Sequence, residues 1–295
     1  MSADGPLSAD GTAAPREQLH VVLRRLVAAA DQGRALPAFV HAAGASQIVA
    51  DRLQGSVPGP RLLVGPAAAA RGRLGLAAWH VLLRDLAVVL AEAVVSDTPE
   101  EEAITLVSVR SAVEGLRGGL RGPAALLHAS APLRPPTVFG ASGLRPEDSL
   151  ALAERFAAVH PDRDRPLLVL GLRTAGAYLA PLLSAALGRL EYRHLVTRTT
   201  RPGGPLLPEE SRLPEAVRRV GGLVLLVAEP PRSGARLAQV ATRLAAVGFA
   251  AERIVPVYAA LDEAVRRPVP LRGYGVVALP ASQWAFRQEP LAAGG

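Results

Sequence analysis

The residues best suited to chemistry lie in a turn after an apolar run, where Glu229 is followed by two prolines, an arginine, Ser233 and Gly234. The apolar run predicts a strand, and the pattern after the turn predicts a helix. A loop between a strand and a helix directs backbone N–H groups and the positive end of the helix dipole at one point, which is how proteins hold phosphate. The turn therefore predicts a phosphate site, with the Glu229 carboxylate available to a hydroxyl or a metal ion.

A second turn of the same kind runs from Gly171 to Gly176. Its glycines would let the backbone approach a ligand closely, and Arg173 and Thr174 could donate hydrogen bonds to phosphate oxygens. Two phosphate sites with a carboxylate between them indicate a phosphorylated sugar as the ligand.

The elements that must position these turns follow from the alternation of short apolar runs and helical patterns after residue 140. This alternation is typical of a parallel sheet covered by helices, whose ligands lie beyond the carboxyl ends of the strands. The segment 201–214, which is rich in proline and glycine, is interpreted as a mobile connection. The patterns predict strands over 166–172, 191–199, 223–228, 254–258 and 274–279, and helices over 146–159, 175–187 and 233–247.

The first half of the chain is predicted to be mostly helical, with the clearest helix start at Thr98, Pro99 and Glu101, a cap followed by the residues that favour a first turn. Proline and glycine crowd residues 130–145, which indicates a linker. The predicted organisation is a disordered tail over 1–15, a helical domain over 16–135, and a Rossmann-like α/β domain over 140–290. The helices of the first half are predicted over 18–30, 36–53, 75–95 and 99–120.

Composition limits the partners. All 33 positive side chains of the 295-residue chain are arginine, and the net charge of +7 favours anionic ligands. The sequence contains no stripe of alternating aromatic and basic residues of the kind that binds nucleic acid. Charged residues near the middle of the stretch from Leu74 to Val95 argue against a membrane span. The lack of cysteine fits the cytoplasm. The six histidines show no metal-ligand spacing, and His194 is the one nearest the predicted site.

The second half of the chain resembles the type I phosphoribosyltransferase family. In that family an acidic strand end leads into a Thr/Ser-Gly loop that holds a ribose 5-phosphate, and the segment from Val227 to Arg236 is similar to it. An earlier glycine-containing loop of the family grips pyrophosphate, and the segment from Leu170 to Ala180 looks like that loop. The segment after residue 200 corresponds to the flexible loop that closes over the family's transition state.

The resemblance implies displacement of pyrophosphate from phosphoribosyl pyrophosphate (PRPP), usually with Mg²⁺. Glu229 would bind the ribose hydroxyls and could bind the metal. Arg198 or Arg201 would stabilise the departing pyrophosphate as the site closes. The pyrophosphate would be held by the backbone around Arg173, Thr174, Ala175 and Gly176. The 5-phosphate would be surrounded by Arg232, Ser233, Gly234, Ala235 and Arg236.

The segment departs from the family pattern at Ala228, where the first of two acidic residues is expected, and at Arg236, where a threonine is usual. An arginine, Arg232, occupies a position that is often acidic, so no catalytic base is assigned there. Three functions stay open: transfer of phosphoribose to an unidentified acceptor, non-catalytic sensing of PRPP or a nucleotide, and scaffolding. The helical half could supply an acceptor hood or a protein-binding surface, and the chain could form a homodimer.

Overall fold

The computed structural model describes residues 16–55, 66–96, 98–119, 130–132, 144–204, 208–229, 231, 233–260 and 267–285. Four helices make up the first half of this part of the chain: α1 (Leu19–Asp31), α2 (Ala35–Leu53), α3 (Pro66–Val94) and α4 (Pro99–Gly119). A two-stranded antiparallel pair, β1 (Arg16–Gln18) and β2 (Ser130–Pro132), joins the two ends of this helical half.

The helices form in the predicted regions because apolar residues recur at helical spacing and pack into one core, but α3 begins at Pro66, nine residues earlier than predicted. Leu26, Phe39, Ile48 and Leu90 are among the side chains that are fully buried there. The start of α4 is the predicted cap, since the amide of Glu101 donates to the hydroxyl of Thr98 at 3.2 Å. None of the described helices is long and apolar enough to cross a membrane.

The second half forms a five-stranded, entirely parallel sheet. Its strands are β3 (Leu167–Leu172), β4 (Leu195–Thr200), β5 (Leu223–Val227), β6 (Ile254–Ala259) and β7 (Val277–Leu279), arranged in the order β4-β3-β5-β6-β7. The helices are α5 (Pro146–Val159), α6 (Gly176–Arg189), α7 (Pro208–Arg219) and α8 (Ala235–Ala246). Alternate residues of β3 belong to two different cores, one with α5 and α6 and the other with α7 and α8. Helices therefore cover both faces of the sheet, and the described residues have a mixed α/β fold.

Helix α6 connects the two halves. Every residue from Gly176 to Leu187 is buried, as expected of a helix that is apolar on all sides. One set of its side chains, including Leu179 and Leu183, packs on the sheet, whereas Tyr178 and Leu182 belong to the core of the helical half. The division into a helical domain and an α/β domain stays a prediction, because this helix serves both cores.

Two further predictions about secondary structure need correction. The segment up to residue 214 was predicted to be mobile, but helix α7 begins at Pro208, and the strongly polar face of this helix concealed it from a search for apolar patterns. Strand β4 begins at Leu195, four residues later than predicted. Of the predicted linker, residues 130–132 form β2, and residues 133–143 lie outside the described part of the chain, as does the predicted tail over 1–15.

Candidate phosphate-binding site

The two predicted turns lie side by side. Strands β3 and β5 are hydrogen-bonded neighbours, with Gly171 opposite Val227 in the register. From β3 the chain continues through α6 to β4 on one side, and then through α7 to β5 on the other side. In open parallel sheets, ligands commonly bind beyond the carboxyl ends of the two strands at which the strand order reverses in this way. The structure thus brings the turns after β3 and β5 to the edge where ligands are expected.

The glycines of the first turn have a structural role that the sequence did not predict. A Cβ atom on Gly171 would lie 2.0 Å from the carbonyl oxygen of Gly176, and one on Gly176 would lie 2.9 Å from the carbonyl oxygen of Val227. The backbones of the turn and of β5 therefore approach each other closely, which only residues without side chains permit. The glycines were expected to allow close approach of a ligand, but in the structure they allow the backbones of the turn and of β5 to approach each other.

Arg173 is placed differently from the prediction. Its guanidinium Nη1 lies 3.0 Å from Oδ1 of Asp51 on helix α2, and the two side chains are 1% and 2% exposed. Its backbone amide donates to the carbonyl oxygen of Thr200 at 2.9 Å. Arg173 was expected to donate to phosphate oxygens from the surface, whereas here its side chain fastens the turn after β3 to the helical half.

The amides at the start of α6 are the part of this turn best placed for an anion. The carbonyl oxygens of Thr174 and Ala175 accept the first hydrogen bonds of the helix, from the amides of Ala177 and Tyr178. Among the hydrogen bonds of the described residues, none uses the amides of Thr174, Ala175 or Gly176 as donors. The first amides of a helix have no partner within it, and a phosphate oxygen can accept from them.

Arg201 contacts the same carboxylate as Arg173. Its Nη2 lies 2.9 Å from Oδ2 of Asp51, and its side chain is 35% exposed. The backbone of Arg201 is held by the guanidinium of Arg243 on α8, which donates to its carbonyl oxygen at 3.4 Å. One buried aspartate of the helical half therefore binds arginines from the ends of two neighbouring strands, β3 and β4.

Positive charge is concentrated around His80, which lies within reach of Arg173, a partner of Asp51. His80 on α3 is buried, and its pKa is lowered from 6.5 to about 3 by burial first and then by the positive charges of Arg84, Arg173 and Arg198. Arg84 is itself paired with Asp85 at 2.9 Å. A neutral histidine among arginines is expected where cations crowd together. The cluster thus has an excess of positive charge that an anionic ligand would offset.

Arg198 was predicted, as an alternative to Arg201, to stabilise the departing pyrophosphate. Its guanidinium donates to the carbonyl oxygen of Thr197 at 2.7 Å. The residue also lines a separate cleft of about 720 Å³ between α3, α4, α6 and β4. Its positive charge reaches His80.

The turn after β5 is more exposed. Glu229 and Ser233 are exposed, and the Ser233 hydroxyl oxygen accepts a hydrogen bond from the Ala235 amide at 3.4 Å. Gly234 adopts a left-handed conformation at a φ of 73°, and a Cβ atom there would lie 2.7 Å from Cβ of Pro268. Ala235 and Arg236 are the exposed first residues of α8, and Arg232 lies outside the described residues. Gly234 therefore packs against protein as well as forming part of the predicted phosphate loop.

A metal ion would find few ligands in the part of the chain that the structure describes. No group of three or more histidine, aspartate or glutamate side chains comes together there. Ala228 lines a cavity of about 10 Å³ beside Tyr258 and supplies no oxygen ligand from its side chain. Glu229 is the carboxylate of the predicted set, which matches the way Mg²⁺ commonly binds through one or two carboxylates and the phosphates of a ligand.

Two residues of the charged cluster, Asp51 and His80, were not predicted. The available signal was an acidic residue within the apolar sequence of α2, where Ala50 and Val49 are also buried. His194 was the histidine expected nearest the site, but it precedes β4 at the opposite, amino end of the sheet, where its carbonyl oxygen accepts from the amide of Leu167. No family model, curated protein or solved structure matches the chain, so the geometry of these residues carries the functional argument.

Proposed function

We propose that this chain is phosphoribosyltransferase-like: it binds PRPP in the crevice between the turns after β3 and β5 and transfers its phosphoribosyl group to an acceptor. The observation that carries the proposal is the placement of these two turns. They follow adjacent parallel strands at the point where the strand order reverses, and Gly171 lies opposite Val227. A Rossmann-like ligand position is what this strand order favours.

In this proposal the two turns hold the two ends of the ligand. The amides of Thr174, Ala175 and Gly176 bind the pyrophosphate, which also receives charge compensation from Arg201. The turn that contains Ser233 and Gly234 binds the 5-phosphate at the start of α8, and Glu229 accepts hydrogen bonds from the ribose hydroxyls.

The reaction is a substitution at the anomeric carbon. The bond from that carbon to pyrophosphate breaks and its electron pair leaves on pyrophosphate, while the acceptor forms the new bond and loses its proton to solvent. Positive charge near the leaving group lowers the barrier, because negative charge accumulates there. Mg²⁺ would supply further compensation of the phosphate charge, with Glu229 as the carboxylate available to it.

Calorimetric titration of the full chain with PRPP and Mg²⁺ tests the binding step. The variant Glu229→Ala should weaken the affinity by about 10- to 150-fold, since a hydrogen bond to a charged group contributes about 1.5–3 kcal/mol. Glu252→Ala is the matched control, because Glu252 is also an exposed glutamate but lies before β6 at the amino end of the sheet. Absence of PRPP binding by the unaltered chain would overturn the proposal.

A second candidate is a sensor that binds the same ligand without turning it over. Two observations favour it: Ala228 replaces one of the acids that the resemblance leads us to expect, and Asp51 links the turn after β3 to the helical half. Measurement of pyrophosphate release with a panel of nucleobases and small amines separates the two candidates. Release above the rate of spontaneous hydrolysis supports the transferase, and tight binding with no release favours the sensor.

A further inference from the structure

We propose that Asp51 is a positioning residue of the pyrophosphate half of this site: from the helical half it holds Arg173 and Arg201, and so fixes the turn that binds pyrophosphate. The inference rests on the proposed function, because it assigns a role within the same crevice. It goes beyond it by making one helix of the first half a necessary part of the site.

The first step of the argument is the geometry of the carboxylate. Each oxygen of Asp51 has its own arginine, at 3.0 Å for Arg173 and 2.9 Å for Arg201. A carboxylate that binds two guanidinium groups restrains both, because charge-assisted hydrogen bonds are short and directional. The two arginines belong to the ends of β3 and β4, so Asp51 fixes the relative position of two strand ends.

The second step concerns Arg173, which is the residue before the three amides at the start of α6. Its side chain is held by Asp51 and its backbone amide by Thr200, so it is fixed at both ends. These two contacts together restrain the peptide that leads into Thr174. The position of these amides therefore depends on a residue that lies 122 positions earlier in the chain.

The third step concerns the difference in burial between the two arginines. Arg173 is 1% exposed and can reach no ligand without leaving its place, whereas the side chain of Arg201 is 35% exposed. The buried pair is the anchor, and Arg201 is the arginine that Asp51 presents to an anion. Asp51 thus binds one arginine with a structural role, Arg173, and one that is proposed to bind the ligand, Arg201.

The test compares Asp51→Asn with the unaltered chain, using two probes that report on different halves of the crevice. Inorganic pyrophosphate with Mg²⁺ probes the turn after β3, and ribose 5-phosphate probes the turn after β5. We expect the variant to bind pyrophosphate at least about tenfold more weakly, the effect of losing an ionic hydrogen bond. Its affinity for ribose 5-phosphate should stay within about twofold, because the arginines that Asp51 binds follow β3 and β4 and not β5.

The matched control is Asp164→Asn. Asp164 also pairs with an arginine, Arg193, at 3.1 Å, but both side chains are exposed and lie near the amino end of the sheet. The control should leave both affinities unchanged. If Asp51 served stability alone, Asp51→Asn would weaken the binding of pyrophosphate and of ribose 5-phosphate together. Simple repulsion between Asp51 and the anion would give tighter pyrophosphate binding on its removal, and either result would overturn the inference.

A measurement on the unaltered chain decides the matter if Asp51→Asn does not fold. Pyrophosphate should slow amide hydrogen exchange in the last turns of α2, around Asp51, and ribose 5-phosphate should not. Equal exchange with and without pyrophosphate would overturn the inference. If the unaltered chain binds neither probe, the proposed function itself falls; if it binds both and only the selectivity is absent, the role of Asp51 alone is rejected.

Discussion

At the scale of single residues, the two partners of Asp51 should differ in their importance for stability. Replacing Arg173 by alanine leaves a carboxylate oxygen buried without its partner, and breaking a buried ion pair costs about 3–5 kcal/mol. Arg201→Ala removes a partly exposed pair that solvent screens, and should cost no more than about 1 kcal/mol. Urea unfolding of both variants measures this difference, and equal losses would contradict the assignment of Arg173 as the anchor.

A pH effect is expected from His80. The pKa of this histidine is about 3 in the native protein, against 6.5 in an unfolded chain, so the unfolded state binds a proton first as the pH falls. His80 therefore has no effect on stability above its pKa in the unfolded chain. Below that pKa it destabilises the folded protein progressively, by about 2 kcal/mol at about pH 5. Denaturant unfolding at about pH 7.5 and about pH 5 measures it. His80→Gln should remove most of this loss, and an unchanged pH dependence in that variant would place its origin elsewhere, for example at His160, whose pKa is also lowered by burial.

At the scale of elements, the close approach of α6 to the ends of β3 and β5 depends on glycine. Gly176→Ala would place a methyl group 2.5 Å from the carbonyl carbon of Gly171, and overpacking of this kind costs about 3 kcal/mol. Gly75→Ala is the control, because a Cβ atom on that helical glycine meets nothing within 4 Å and alanine should add up to about 1 kcal/mol. Thermal unfolding compares them, and a Gly176→Ala protein as stable as the parent would show that the backbone can yield there.

The elements were largely predictable because each is encoded by local periodicity. Apolar residues at helical spacing identified α1 to α6 and α8, although α3 begins nine residues earlier than predicted. Short apolar runs identified β3 to β7 with errors of up to four residues at the ends, whereas the short strands β1 and β2 were not predicted. Helix α7 was missed because its sequence, with Pro214 inside and several charged residues, lacks an apolar run. The strand ends that form the crevice were predicted for the same reason, since carboxyl ends of parallel strands share one edge.

The interior of the site was not predictable, because its contacts join residues far apart in the chain. The position of Asp51 within the apolar sequence of α2 is a local signal of burial, but nothing local identifies its partners, which lie at the ends of β3 and β4. Arg173 was predicted to bind phosphate for the same reason, since its position in a loop does not reveal the buried ion pair with Asp51 of the helical half. The residue types were correctly singled out, and the partner that decides the role of Arg173 became visible only in three dimensions.

At the scale of the whole molecule, the structure predicts that the α/β half depends on the helical half. Separating residues 140–295 would expose the face of α6 that carries Ala177, Tyr178 and Leu182, which now belongs to the core of the helical half. It would also leave Arg173 without Asp51. Newly exposed apolar surface is destabilising, and the loss of Asp51 removes the ion pair that restrains the turn after β3.

We therefore expect the fragment 140–295 to lack a cooperative thermal transition and to bind the dye ANS, the behaviour of a chain without fixed packing. The full chain should unfold cooperatively under the same conditions. Co-expression with residues 1–139 should restore the transition, and Asp51→Ala in that companion should weaken the association of the two fragments, because it removes the carboxylate that Arg173 and Arg201 share. A fragment that unfolds cooperatively at the temperature of the full chain would instead support two independent domains, and the link through Asp51 would then have no role in stability.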